Sequence, residues 1–362
     1  MTATATAVFL AVVGARFLVP LLIPRFPLPA IVAALVLDAV DQTVFQSFGF
    51  DPPGYQGYDK AMDVYYLAIA YLSTMRNWSS RPAVQVARFL YFYRLAGVVA
   101  FELAEARWLL MVFPNTFEYF FIAYEAYRLC WDPARVTLRN WILAAAGIWI
   151  FVKLPQEWWI HVAKLDFTDM VEDVPWFGPA VAAGVVLLCL AYWFVVRPGQ
   201  PAPDWSWHVA ADPLPHEALT IAGRDRWTAA HGRLWSAGTL EKVTLVSLIW
   251  IIYAQVLPSA TFSNVQRIVV TTAFVVTNAA ISLWSARAAR SVESALTAFG
   301  ARALMNVVLV WLADWLLPRG GGDLDPAVAL FFVLLLSLIT LLDDRYRPVY
   351  EIRFRILAKA SR

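Results

Sequence analysis

Eleven stretches of this chain are long and apolar enough to cross a lipid bilayer, and that pattern restricts the fold more than any motif does. A bilayer core takes about 20 mostly apolar residues per helix. The stretches fall at residues 7–24, 28–48, 60–76, 87–105, 107–128, 139–155, 178–197, 241–258, 266–285, 300–317 and 326–343. Charged residues make up only 15% of the 362 positions, against about 25% in a typical soluble domain. Both facts predict an all-α, polytopic bundle of membrane-spanning helices.

The short loops orient such a bundle, because Lys and Arg accumulate on the cytoplasmic side. The C-terminal DDRYRPVYEIRFRILAKASR is strongly basic, and so are the loops carrying Arg287 and Arg302, Arg128 to Arg139, and Arg76 to Arg88. The alternate loops are acidic or neutral. This places the N-terminus outside and the C-terminus in the cytoplasm of a multi-pass protein of the cell (inner or plasma) membrane. MTATATAVFLAVVGARFLVPLLIP has no charged segment ahead of its apolar run, so it reads as a first span rather than a cleaved signal.

Four segments follow: an N-terminal bundle at 1–197, a proline-containing cytoplasmic linker at 198–240, a C-terminal bundle at 241–343 and a basic tail at 344–362. Glu105–Ala106 leaves only a very tight hairpin between the fourth and fifth stretches, and after Pro155 the segment QEWWIHVAKLDF can continue as a kinked helix at the outer interface.

Ionisable residues inside a bilayer are costly, at least about 2.5–3.5 kcal/mol on insertion scales, and therefore mark function by default. In VLDAVDQTVFQ, Asp38, Asp41 and Gln42 share one helix face, and two carboxylates that close tend to share a proton or hold a hard cation. Arg94 lies within the fourth stretch and needs a carboxylate, such as Asp38, Asp41, Asp63, Glu102 or Glu118, or backbone carbonyls. Asn115, Glu118, Glu125 and Arg128 fall on one side of the fifth stretch, after Pro114, which frees a carbonyl. An Arg94–Glu118 ion pair that fixes helix register is the structural alternative.

Glu157 and His161, four apart, form at most a weak metal pair, because spacing fixes no third ligand. His208, Asp212 and His216 are interrupted by Pro213 and Pro215, and Asn306 and Asp314 fit interhelical bonding. The two cysteines, Cys130 and Cys189, have no partner for a disulfide or zinc site. No phosphate loop, dinucleotide fingerprint or nucleophile elbow is present, and no cofactor is indicated. The net charge of +2 and the lack of a basic face exclude nucleic acid.

These residues predict a transporter or channel linked to protons or cations through intramembrane carboxylates, with the bilayer and a small ion or molecule as partners. Two alternatives stand beside it. One is a non-catalytic subunit or scaffold with membrane-protein partners or copies of itself. The other is an intramembrane enzyme acting on a lipid-linked substrate, with Arg94 or Arg107 clamping an anion.

Overall fold

The computed structural model describes residues 3–48, 55–104, 106, 108–163, 165, 170–171, 173–204, 207–256, 264–288, 295–316 and 326–360. Among the described residues it is all-helical, 84% helix with no strand. Among the same described residues, four helices are long and apolar enough to cross a membrane: Pro27–Ser47, Arg81–Ala104, Leu138–Ile160 and Phe177–Gly199.

The N-terminal segment comprises α1 (Ala3–Leu18), α2 (Pro27–Ser47), α3 (Tyr55–Asn77), α4 (Arg81–Ala104), α5 (Trp108–Val112), α6 (Thr116–Arg128), α7 (Leu138–Ile148), α8 (Leu154–His161) and α9 (Phe177–Ala191). After the linker helix α10 (Ile221–His231) come α11 (Ala237–Val256), α12 (Asn264–Arg287), α13 (Ala295–Leu316) and α14 (Pro326–Ala360). The last helix runs on through most of the predicted basic tail, despite Pro348 in its interior.

Local chemistry accounts for the breaks. Pro27 supplies the fixed φ suited to the first turn of α2. The fifth predicted span divides at Phe113–Asn115, where Pro114 has no N–H to continue α5, and the chain restarts as α6. The sixth continues past Pro155: a π-turn over Trp149–Lys153 widens the helix ahead of the proline and joins α7 to α8.

Helix α3 is the axis of the molecule. Ala61, Met62, Tyr65, Ala68, Ile69, Tyr71 and Leu72 are buried, because α2, α4, α11 and α14 all pack around it. The same core draws on Phe117, Phe120, Phe121 and Tyr124 of α6 and on Leu335, Leu336 and Ile339 of α14. Its aromatic centre is Trp78 stacked on Tyr124 at 3.8 Å between ring centroids, with Tyr71 stacked on Tyr91 at 4.5 Å. In contrast, no residue in the apolar window of Phe177–Gly199 is buried.

Candidate functional site

The carboxylates that the sequence places on one face of α2 meet a partner from α1. Arg16 is buried at 4% exposure and is the only charged residue of the first predicted span. Its guanidinium bonds four carboxylates: Asp38 and Asp41 of α2, Asp59 Oδ1 of α3 at 2.8 Å and Asp63 Oδ1 of α3 at 3.2 Å. The Tyr58 ring lies 5.4 Å from the guanidinium carbon. Asp38 and Asp41 reach it together because they are three apart on α2, and Asp59 and Asp63 because they are four apart on α3.

A single guanidinium offsets one of the four negative charges. Excess carboxylate in a low-dielectric setting is relieved by a proton or a cation. Carboxylate oxygens of Asp38, Asp59 and Asp63 lie within 4.8 Å of one another, a spacing at which three oxygen ligands can converge on a hard cation. These three side chains keep 25, 33 and 37% of their surface uncovered by protein, whereas Asp41 has none open. The cluster is therefore partly open, through Asp38, Asp59 and Asp63. Gln42, predicted to share this face, is exposed and takes no part in the Arg16 cluster.

One turn along α3 from Asp63, the Tyr66 hydroxyl donates to Glu118 Oε1 at 2.5 Å. Asn115 Nδ2 donates to the other oxygen of Glu118 at 2.9 Å. Glu118 is buried in the first turn of α6, where the positive end of the helix dipole favours a carboxylate. The predicted Arg94–Glu118 ion pair is not formed. Arg94 instead donates to the Phe113 carbonyl at 2.9 Å, and the Tyr93 hydroxyl donates to the Val112 carbonyl at 3.1 Å. Both carbonyls are left unpaired by the break between α5 and α6, so α4 caps that helix end from the side. Gly97 makes this approach possible: a Cβ there would lie 2.0 Å from Phe113 Cβ.

Lys153 of the π-turn is buried beside Gln156 Oε1 at 2.9 Å and Glu157 Oε1 at 3.6 Å, with its ammonium 4.6 Å from the Tyr119 ring centroid. Glu157 is thus committed to a cation, and the His161 side chain lies outside the described residues, as do Arg107, Lys164, Asp166, Asp169, Glu172 and the Asp314 side chain. Glu102 pairs with Lys60 at 2.9 Å.

Glu125 belongs to a different assembly. It accepts from Trp78 Nε1 at 2.8 Å and Arg128 Nε at 2.7 Å, and Arg128 reaches Asp212 at 2.9 Å and His208 Nε2 at 2.9 Å. Arg128, held in place by Glu125, therefore anchors the linker to α6, and His208 and Asp212 serve that junction. His216 is exposed. Asn306 bridges Asn278 and Ser337, at 2.9 and 2.7 Å, as an interhelical bond.

A second charge network crosses the basic end of the bundle. Glu241 joins Arg88 at 3.3 Å and Arg347 at 3.2 Å; Arg347 joins Asp343 at 2.6 Å; Lys242 joins Asp343 at 2.8 Å and also Asp344; and Arg302 joins Asp344 at 2.7 Å. Cations and anions alternate here, four against three. Burial disfavours the Asp344 carboxylate, yet Lys242, Arg302 and the Ser282 hydroxyl together outweigh it and hold Asp344 well below the ordinary carboxylate range.

No protein-family model, no curated protein and no solved structure matches this chain. The functional reading accordingly stands on the residues and their geometry.

Proposed function

We propose that this chain is an integral membrane transporter or channel that moves protons or a small cation through intramembrane carboxylates. In this reading the four apolar helices cross the membrane with the remaining predicted spans around them, eleven in all, the N-terminus outside and the C-terminus in the cytoplasm of the cell membrane. The observation that carries the proposal is the single guanidinium of Arg16 set among four carboxylates on α2 and α3. A purely structural site inside a membrane would balance its charges, because each uncompensated one costs several kcal/mol.

The mechanism follows from the order of groups along α3. Asp38, Asp59 and Asp63 gather the ion where the cluster is open, with Arg16 fixing their positions. Tyr66 and Glu118 lie one helical turn further in and supply the next hydroxyl and carboxylate. Beyond Glu118, the packed rings of Phe117, Phe120, Phe121 and Tyr124 close the way, so onward passage requires helix movement at the α5–α6 break.

Reconstitution into liposomes holding a pH-sensitive dye tests this directly. Wild-type vesicles are expected to respond to an imposed proton or cation gradient faster than empty vesicles, and Glu118→Gln to abolish the response in a folded protein. Wild-type vesicles no leakier than empty ones, under proton, sodium and potassium gradients alike, would end the proposal. A second reading, a subunit of a larger membrane assembly, draws on the unburied apolar helix Phe177–Gly199. Stoichiometric partners co-purifying through that helix would favour it.

A further inference from the structure

A cavity of about 400 Å³ opens at the basic end of the bundle, walled by α10, the turn after it, and the facing ends of α11, α12, α13 and α14. Five of its side chains are permanently positive: Arg233, Lys242, Arg302, Arg345 and Arg347. Its carboxylates are Asp225, Asp344 and Glu351. Arg347 is committed to Asp343 and Glu241, and Lys242 to Asp343 and Asp344. Glu351 accepts from Trp227 Nε1 at 2.8 Å.

What is left over is cationic. Arg302 uses one terminal nitrogen on Ser282 and Asp344, while its other, Nη1, is buried with no hydrogen-bond partner. Among the described residues, neither Arg233 nor Arg345 forms an ion pair. Burial and the neighbouring Arg302 both disfavour the Arg345 charge, partly relieved by Tyr346 and Asp225, so Arg345 lines the cavity beside a second cation with no carboxylate bonded to it. An unsatisfied buried guanidinium N–H costs about as much as a lost charge-assisted hydrogen bond, which a ligand oxygen would restore. Asp225 Oδ2 is also buried without a partner, and it offers an acceptor for a hydroxyl or amine on the same ligand.

We propose that this cavity binds a phosphate-bearing ligand, with Arg302, Arg345 and Arg233 holding the phosphate oxygens and Asp225 accepting from a neighbouring hydroxyl or amine. Guanidinium forks match phosphate geometry, and three of them suit a dianionic or diester group. The site lies apart from the Arg16 cluster and does not depend on the transport reading. A lipid headgroup and a soluble phosphate ester present the same chemistry.

The test uses the intact detergent-purified protein. Calorimetric titration with glycerol 3-phosphate is run beside native mass spectrometry of protein equilibrated with phosphatidylglycerol or phosphatidylcholine. Arg233→Gln, at an exposed position that leaves the fold intact, and Arg233→Gln/Arg345→Gln are measured in parallel. Saturable glycerol 3-phosphate binding, weakened about tenfold or more in the double variant and less in the single one, supports a soluble ligand. Phosphatidylglycerol retained in preference to phosphatidylcholine and lost in the variants, without glycerol 3-phosphate binding, supports a headgroup. Failure of wild type to bind either probe overturns the proposal. Equal binding by wild type and the folded Arg233→Gln variant removes Arg233 from the site, and equal binding by the double variant overturns it altogether.

Discussion

The two charge networks of this molecule are built on opposite principles. At the basic end, Arg88, Glu241, Arg347, Asp343, Lys242, Asp344 and Arg302 alternate in sign and tie α4, α11, α13 and α14 together. Around Arg16, one cation faces four carboxylates donated by two helices. The matched network pairs each of its charges with an opposite one and behaves as a fastener, although Arg302 keeps one nitrogen unbonded toward the cavity. The unmatched cluster is complete only with a proton or cation, which is why the functional proposal rests there.

Mutations separate the two. Arg16→Gln is the most damaging single change: it leaves four adjacent carboxylates without a cation, and the loss should reach or exceed the upper end of the ~3–5 kcal/mol seen when one buried partner is removed. Thermal unfolding in detergent measures it, and adding Asp38→Asn and Asp41→Asn should restore much of the lost stability. If it restores none, the cluster is not electrostatically coupled. Lys242→Met comes next, at about 3–5 kcal/mol, because Asp343 and Asp344 lose a shared cation. Asp59→Asn should cost under about 1 kcal/mol or stabilise, since it removes surplus negative charge. A comparable cost for Asp59→Asn and Lys242→Met would erase the distinction between the networks.

Acid sharpens the contrast by a smaller amount. Asp344 is held below its unfolded value of about 4, so it contributes stability above that pH and loses it as the pH falls toward its folded value. Unfolding temperature should therefore decline on acidification, and the decline should shrink in Asp344→Asn. An identical acid profile in the variant would remove Asp344 as its source.

The helical class and the shared face of Asp38 and Asp41 were legible because spacing along a helix fixes which side chains are neighbours. Glu118 was legible too, as an acid deep in an apolar run. Partners from other helices were not, because spacing carries no information across elements. Arg16 is an instructive omission: it is the only charge in residues 7–24, and that isolation alone marks it as a residue that must be paired. Lys153 gives a similar signal, as the only charge between Arg139 and Glu157. Arg94 found carbonyls rather than a carboxylate because Pro114 breaks the helix beside it, a consequence of chain geometry that no charge count reveals. The DDRYRPVYEIRFRILAKA segment looks like a solvated tail by its charge, yet Val349 and Ile352 are buried and Arg353 donates to the Trp78 carbonyl at 2.9 Å, so it packs as helix.

The central claim, that ion passage depends on the unmatched cluster and not on the matched network, is tested most directly by a paired flux measurement. Liposomes carrying Asp38→Asn and Glu241→Gln proteins, both verified as folded, are compared with wild type under the same imposed gradient. The account predicts that Asp38→Asn lowers flux at least about tenfold while Glu241→Gln retains it. Flux unchanged in Asp38→Asn, or lost equally in both, would contradict it.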